Sequence, residues 1–145
     1  MAGLSSAGTT VHVSASLPAT YDAAGYNALS WTQVTDVSDI PEFGPSTSVN
    51  TFNPIDSRVT QKSTGSIDYG SVALGFAHVV GDAGQGILST ALGNNTGISV
   101  KVTRPDTKKD YFTGIVSSFT RNHSGVDSFF IGTAKIEINK PIVTV

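Results

Sequence analysis

The residues best suited to proton transfer or metal binding are His12, His78 and His123, and each falls on a different segment of the chain. No two stand at the i, i+4 spacing that places a pair on one helix face, as a helical zinc site requires. His12 falls on the polar side of an alternating stretch and His123 in a turn, where a solvated imidazole is the ordinary outcome. Asp36, Asp39 and Glu42 lie near one another but lack the alternating oxygen ligands and the glycine of a calcium loop, so they read as a solvated acidic edge. GDAGQG (Gly81–Gly86) is rich in glycine, but it has neither the G-x-G-x-x-G spacing nor a Walker lysine, and Asp82 would repel a phosphate. NHSG (Asn122–Gly125) sets a serine beside a histidine; neighbours in sequence do not make a triad, and no G-x-S-x-G elbow occurs. The nine Lys and Arg residues are dispersed, without the interleaved aromatics of an RNA-reading strand. The chain thus presents no catalytic residue, no metal ligand set and no cofactor motif, and it reads as non-enzymatic.

Bulk properties point the same way. The 145 residues suit one domain, read as spanning 1–145, and no cysteine is present to add a disulfide or thiolate metal site. MAGLSSAGTT has neither a basic n-region nor an apolar h-region, so no secretory signal is expected, and no apolar run reaches a membrane-spanning length. Charged residues make up 14% of the chain, against about 25% in an ordinary globular protein, and serine and threonine take their place. A surface so thin in charge has little electrostatic reason to stay dispersed, which suggests that copies of the chain cover one another. The charge is also uneven: residues 1–72 hold six acids and two bases, residues 73–145 five acids and seven bases. Such polarity suits head-to-tail association.

The elements that would position these residues are mostly strands. Residues 1–9 read as a flexible N-terminal arm. Thr10–Leu17 alternates, with Val11, Val13, Ala15 and Leu17 on one face, and Leu29–Val37 reads as a second strand anchored by Trp31. Residues 38–57, punctuated by Pro41, Pro45 and Pro54, read as a long protruding loop with sticky Ile40, Phe43, Phe52 and Ile55. From Ser66 a core strand carries Val72, Leu74, Phe76 and Val80 on one face. It runs into the single convincing helix, about Asp82–Leu92. There Asp82 caps the first turn, Gln85 completes a capping box and Gly93 supplies a left-handed C-cap. Ile87, Leu88 and Leu92 form the stripe expected to seat this helix on the sheet. Three further strands, Ile98–Thr103, Tyr111–Phe119 and Asp127–Asn139, are joined by short turns as a meander. Phe130, Ala134, Ile136 and Ile138 share a face of the last, and residues 140–145 trail off as a C-terminal arm. The expected fold is mainly β, an antiparallel β-sandwich or open barrel with one flanking helix.

Five segments in this order carry a resemblance: ATYDAAGY (Ala19–Tyr26), VSDIPEFG (Val37–Gly44), GSIDYGSVAL (Gly65–Leu74), DAGQGIL (Asp82–Leu88) and DYFTGIVSSF (Asp110–Phe119). With them the chain resembles the major tail tube proteins of long, non-contractile bacteriophage tails, which are related to type VI secretion and gene transfer agent tube proteins. The resemblance implies that six copies form a ring whose inner sheets join into one barrel, and that rings stack into a hollow tail through which DNA passes without sequence-specific binding. It implies tape-measure, tail terminator and tip proteins as partners besides the chain itself, with assembly in the host cytoplasm and a place in the virion tail. By the same analogy, the long loop and both termini join successive rings, and Ile40, Pro41, Phe43 and Phe52 belong to ring stacking. The extra C-terminal immunoglobulin-like domain of some members has no counterpart within these 145 residues. Two other readings compete: a secretion-type tube subunit, and a carbohydrate-binding or adhesin sandwich presenting Trp31 and the region of Tyr111.

Overall fold

The computed structural model describes Gly3, residues 5–123 and residues 125–145. In chain order its elements are β1 (Thr10–Ser14), α1 (Ala23–Asn27), β2 (Thr32–Val34), β3 (Val37–Asp39), β4 (Ser46–Phe52) and β5 (Gln61–Asp68). They continue with β6 (Ser71–Ala77), α2 (Ala83–Thr90), β7 (Ile98–Thr103), β8 (Lys109–Asn122), β9 (Ile131–Ile138) and β10 (Val143–Thr144). Part of the arm expected over residues 1–9 lies outside the described residues.

Seven strands make one antiparallel sheet in the order β2-β1-β7-β8-β9-β6-β3, with β10 added alongside β8. The expected meander is present: β7 pairs with β8 through Ile98–Gly114 and Val100–Phe112, and β8 pairs with β9 through Val116–Ile136. The fold is mainly β, and the alternation seen in sequence is what fills its core. Val11, Val13, Val72, Leu74, Phe76, Val100, Phe112, Ala134 and Ile136 all turn inward and are essentially sequestered from solvent.

The two ends of this sheet are consecutive in sequence. β2 is one edge, β3 the other, and only Thr35 and Asp36 separate them. Three Cα steps can span no more than about 11 Å, so the sheet must roll up until its edges nearly meet. No ladder joins β2 to β3, and the result is an open barrel rather than a closed one. The single strand expected over Leu29–Val37 is therefore two short strands. The chain leaves one edge at Val34, turns through Asp36 in the left-handed region (φ 54°), and enters the other edge at Val37.

Helix α2 packs against β2 beside this seam, where Gly84 presses so closely on Gln33 and Val34 that an added Cβ would sit 2.5 Å from the Gln33 carbonyl oxygen. Asp82 caps the helix as expected, its Oδ2 accepting from the Gln85 N–H at 3.0 Å. The seating face differs from expectation. Gly84, Leu88 and Ala91 face inward, Leu88 wholly buried, and Ile87 is half-buried against the core. Leu92 is 48% exposed, because it follows the C-cap residue Ala91 and its backbone has already left the helix to bridge Val116. Gly93 has positive φ (78°), but it stands two residues past that cap.

Strand ends also move. β1 stops at Ser14, and Leu17 is exposed. β6 stops at Ala77 and β9 begins at Ile131, so Val80 and Phe130 lie beyond their strands and are exposed, not in the core face expected for them. The expected C-terminal arm folds back along β8: Val143 pairs with Tyr111, and Val145 and Lys109 exchange backbone hydrogen bonds at 2.9 and 3.1 Å. Among these elements the helix contact offers the clearest test. Leu88→Ala should cost about 2–5 kcal/mol of stability, whereas Leu92→Ala should stay within about 0.5 kcal/mol; urea unfolding of the two variants checks both.

Candidate self-association surface

The long irregular region resolves into an arm. β4 and β5 pair only with each other, from Ser46–Asp68 at the base to Phe52–Gln61 at the tip, with a register shift between Thr47 and Val49. Every residue of β4 and all of β5 but Gly65 are exposed. A lone two-stranded ribbon is marginal in water unless something covers it. The arm carries Val49, Phe52, Ile55, Val59 and Ile67 into solvent, Ile55 at its tip being fully exposed. Sequence reading missed β5 because Gln61–Asp68 has only one apolar residue, Ile67, and so shows no hydrophobic alternation.

The residues assigned by analogy to ring stacking do not sit together. Ile40 and Phe43 fold back on their own core, Phe43 lying 5.3 Å from the Phe112 ring. With Ser6, Thr9, Val102, Arg104 and Asp110 they line a cleft of about 320 Å³ at one end of the barrel. Pro41 is half-buried beside them, while Phe52 stands out on the arm. A second apolar projection follows β8: Val126, Phe129 and Phe130 are exposed, and the His123 ring meets the Phe130 ring edge-on at 4.4 Å. The expected NHSG turn falls here, with its Ser124 outside the described residues.

On the outer face of the sheet, α1 and the loop after it cover an aromatic cluster. Tyr26 stacks on Tyr111 (5.1 Å, interplanar 9°) and its hydroxyl meets that of Thr113 at 2.9 Å. The Tyr111 hydroxyl donates to Asn27 at 2.7 Å, and the Trp31 indole N–H donates to the Tyr26 carbonyl at 3.0 Å. Tyr111 is thus buried, and the Trp31 ring carries the Lys101 ammonium 5.2 Å from its centroid. The cluster offers no open aromatic platform of the kind a sugar ring stacks on.

Beside it, strand register places His12 opposite Lys101, and Lys109, opposite Thr103, falls one diagonal step from Lys101 on the same face, so the three form a staggered basic row across β1, β7 and β8. Burial, and then the charges of Lys101 and Lys109, hold the His12 imidazole below its ordinary pKa; burial, then Lys109, lowers that of Lys101. His12 Nδ1 is buried without a hydrogen-bond partner.

The glycine-rich GDAGQG segment has a structural task. Gln85, 4% exposed, does not reach back to its cap as a capping box would. Its Oε1 accepts from the Val79 N–H at 3.0 Å, and its Nε2 donates to the carbonyls of Ala77 (2.9 Å) and Thr35 (3.4 Å). Asp82 Oδ1 meanwhile accepts from the Thr35 hydroxyl at 2.9 Å. Among the described residues, no three His, Asp or Glu side chains converge on a metal-sized site, and no helix is long and apolar enough to cross a membrane.

No protein-family model matches this chain, and no curated protein matches its sequence. Solved structures do match in shape. One is a chain of the SPP1 tail tube, determined by solid-state NMR and cryo-electron microscopy; it superposes with a TM-score of 0.66 at 13% identity, covering 98% of this chain and 78% of that one. This is the tail-tube fold. A second match, a chain of the anti-feeding prophage baseplate solved by cryo-electron microscopy with 6-fold symmetrisation, has a TM-score of 0.69 at 9% identity over 100% of this chain and 97% of that one. Both likenesses thus span nearly all of this chain and not the core sheet alone.

The arm and the barrel-end cleft separate in a mutational test. Phe52→Asp should leave the melting temperature within about 2 °C of wild type, since an exposed site costs about 0.5 kcal/mol or less. Phe43→Asp should destabilise by about 2 kcal/mol or more, because it sets a carboxylate against Phe112. Differential scanning calorimetry distinguishes them.

Proposed function

We propose that this chain is a structural, non-catalytic subunit that assembles with copies of itself into six-membered rings, which stack into the hollow tail tube of a bacteriophage. The observation that carries the proposal is the full-length likeness to a chain of the SPP1 tail tube. The exposed arm supports it, because a two-stranded ribbon bearing Val49, Phe52, Ile55 and Ile67 needs a partner to cover it. In this reading the arm meets a neighbouring subunit through Phe52, while Ile40, Pro41 and Phe43 shape the barrel-end surface on which the next ring sits. DNA passes through the bore without sequence-specific contact. Tape-measure, terminator and tip proteins bound the tube, which is built in the host cytoplasm and resides in the virion tail.

The likeness to a chain of a 6-fold symmetrised baseplate favours a second reading, a ring-forming subunit of a secretion-type or injection apparatus. Negative-stain electron microscopy of the concentrated protein tests both. Long tubes of uniform diameter are the expected result; discrete rings that never stack favour the second reading. A protein that stays monomeric at every concentration and salt condition rules out self-assembly through these surfaces.

A further inference from the structure

We propose that the basic row of His12, Lys101 and Lys109 docks the acidic segment Asp36–Glu42 of a second copy of the chain. The inference rests on the self-assembling reading above and names the pair of surfaces that meet.

The row is uncompensated within its own chain. Register sets Lys109 one diagonal step from Lys101 on the face that His12 shares, so two ammonium groups are neighbours there beside an imidazole that burial and their charges keep from protonating. Among the described residues, the ion pairs are Arg104–Asp106 and Lys135–Glu137, and neither involves the row. Asp110, next to Lys109 in sequence, instead accepts from the Thr144 hydroxyl at 2.9 Å. Adjacent cations without a counterion cost free energy that an approaching anion recovers.

The row is also held in place before anything binds. Lys101 is half-buried, with its ammonium set over the Trp31 ring, and Trp31 is fixed by its hydrogen bond to Tyr26. A charge whose stem is already ordered loses less entropy on pairing than a free surface lysine.

Complementary charge exists elsewhere on the same molecule. Asp36, Asp39 and Glu42 are exposed on and beside the edge strand β3, and among the described residues no Lys or Arg lies within ion-pairing distance of any of them. Acids without an ion-pair partner on one segment and the Lys101 and Lys109 ammonium groups on another face suit a head-to-tail contact, the arrangement that propagates rings and stacks. A nucleic acid fits less well: the row is short, it is backed by buried rather than open aromatics, and the chain as a whole has net charge −2.

Charge reversal on each side, followed by mixing, decides the matter. Lys101→Glu/Lys109→Glu leaves both surfaces acidic, and Asp39→Lys/Glu42→Lys leaves both basic. Each variant alone should lose the rapidly sedimenting polymer that wild type forms, and an equimolar mixture should restore it, because reversed surfaces then alternate with native ones. Lys109→Glu alone, which leaves the Lys101–Trp31 contact intact, should weaken assembly in the same direction with an unchanged melting curve. Polymer from either reversed pair at wild-type levels overturns the pairing while leaving the self-assembling reading intact. Failure of the mixture to rescue two folded variants also overturns it. Retention of a labelled oligonucleotide that depends on Lys101 and Lys109, with assembly unaffected, overturns it in favour of a polyanion partner. A wild-type protein that never assembles overturns both readings.

Discussion

The rolled sheet has one joint without a ladder, between β2 and β3, and the amide of Gln85 spans it. Three hydrogen bonds from this one buried side chain tie the Thr35 carbonyl after β2 to the Ala77 carbonyl and the Val79 N–H at the end of β6. The Asp36 carbonyl accepts from the Ala77 N–H at 2.9 Å, and Asp82 holds the Thr35 hydroxyl, so the seam is stitched by side chains and caps. Each such bond contributes about 1 kcal/mol net, and together they act where the backbone ladder is missing. Helix α2 is therefore held by more than its apolar stripe: it must stand where Gln85 can reach both sides of the joint.

The sequence made the core strands legible because they obey a period of two and bury one face. Val72, Leu74 and Phe76, or Val100 and Val102, could be placed inward without coordinates. Asp82 as a helix cap was equally readable, since that geometry is local. What escaped was non-local. Gln85 three residues after a cap has the spacing of a capping box, and only the proximity of β2 and β6 diverts its side chain to their backbones. Leu92 fits a helical stripe, but the helix ends at Thr90, two residues too soon for it. The partner of β4 was invisible, because β5 is exposed on both faces and has no need of alternation.

The candidate surfaces divide along the same line. Ile40, Phe43 and Phe52 look alike in sequence, being apolar residues in a proline-rich stretch. The fold separates them, drawing Ile40 and Phe43 onto the core, Phe43 against the Phe112 ring, and sending Phe52 out along the arm. His12 lies about ninety residues from Lys101 and Lys109 in sequence, and read alone it is an ordinary solvated imidazole; antiparallel register brings it onto the face the two lysines share. Low overall charge hides such a feature, because what matters is which few charges remain and whether each finds a counterion.

The two-residue link at Thr35 and Asp36 also bears on mechanics. Every other junction around the sheet can slip only by breaking a series of hydrogen bonds, but this one is covalent along the chain and unladdered across it. The subunit behaves as a hoop with one stitched joint, whose girth is set by strand count and by the short tether. Outward pressure on such a hoop concentrates at the stitches, so the seam by α2 is where the wall would first give.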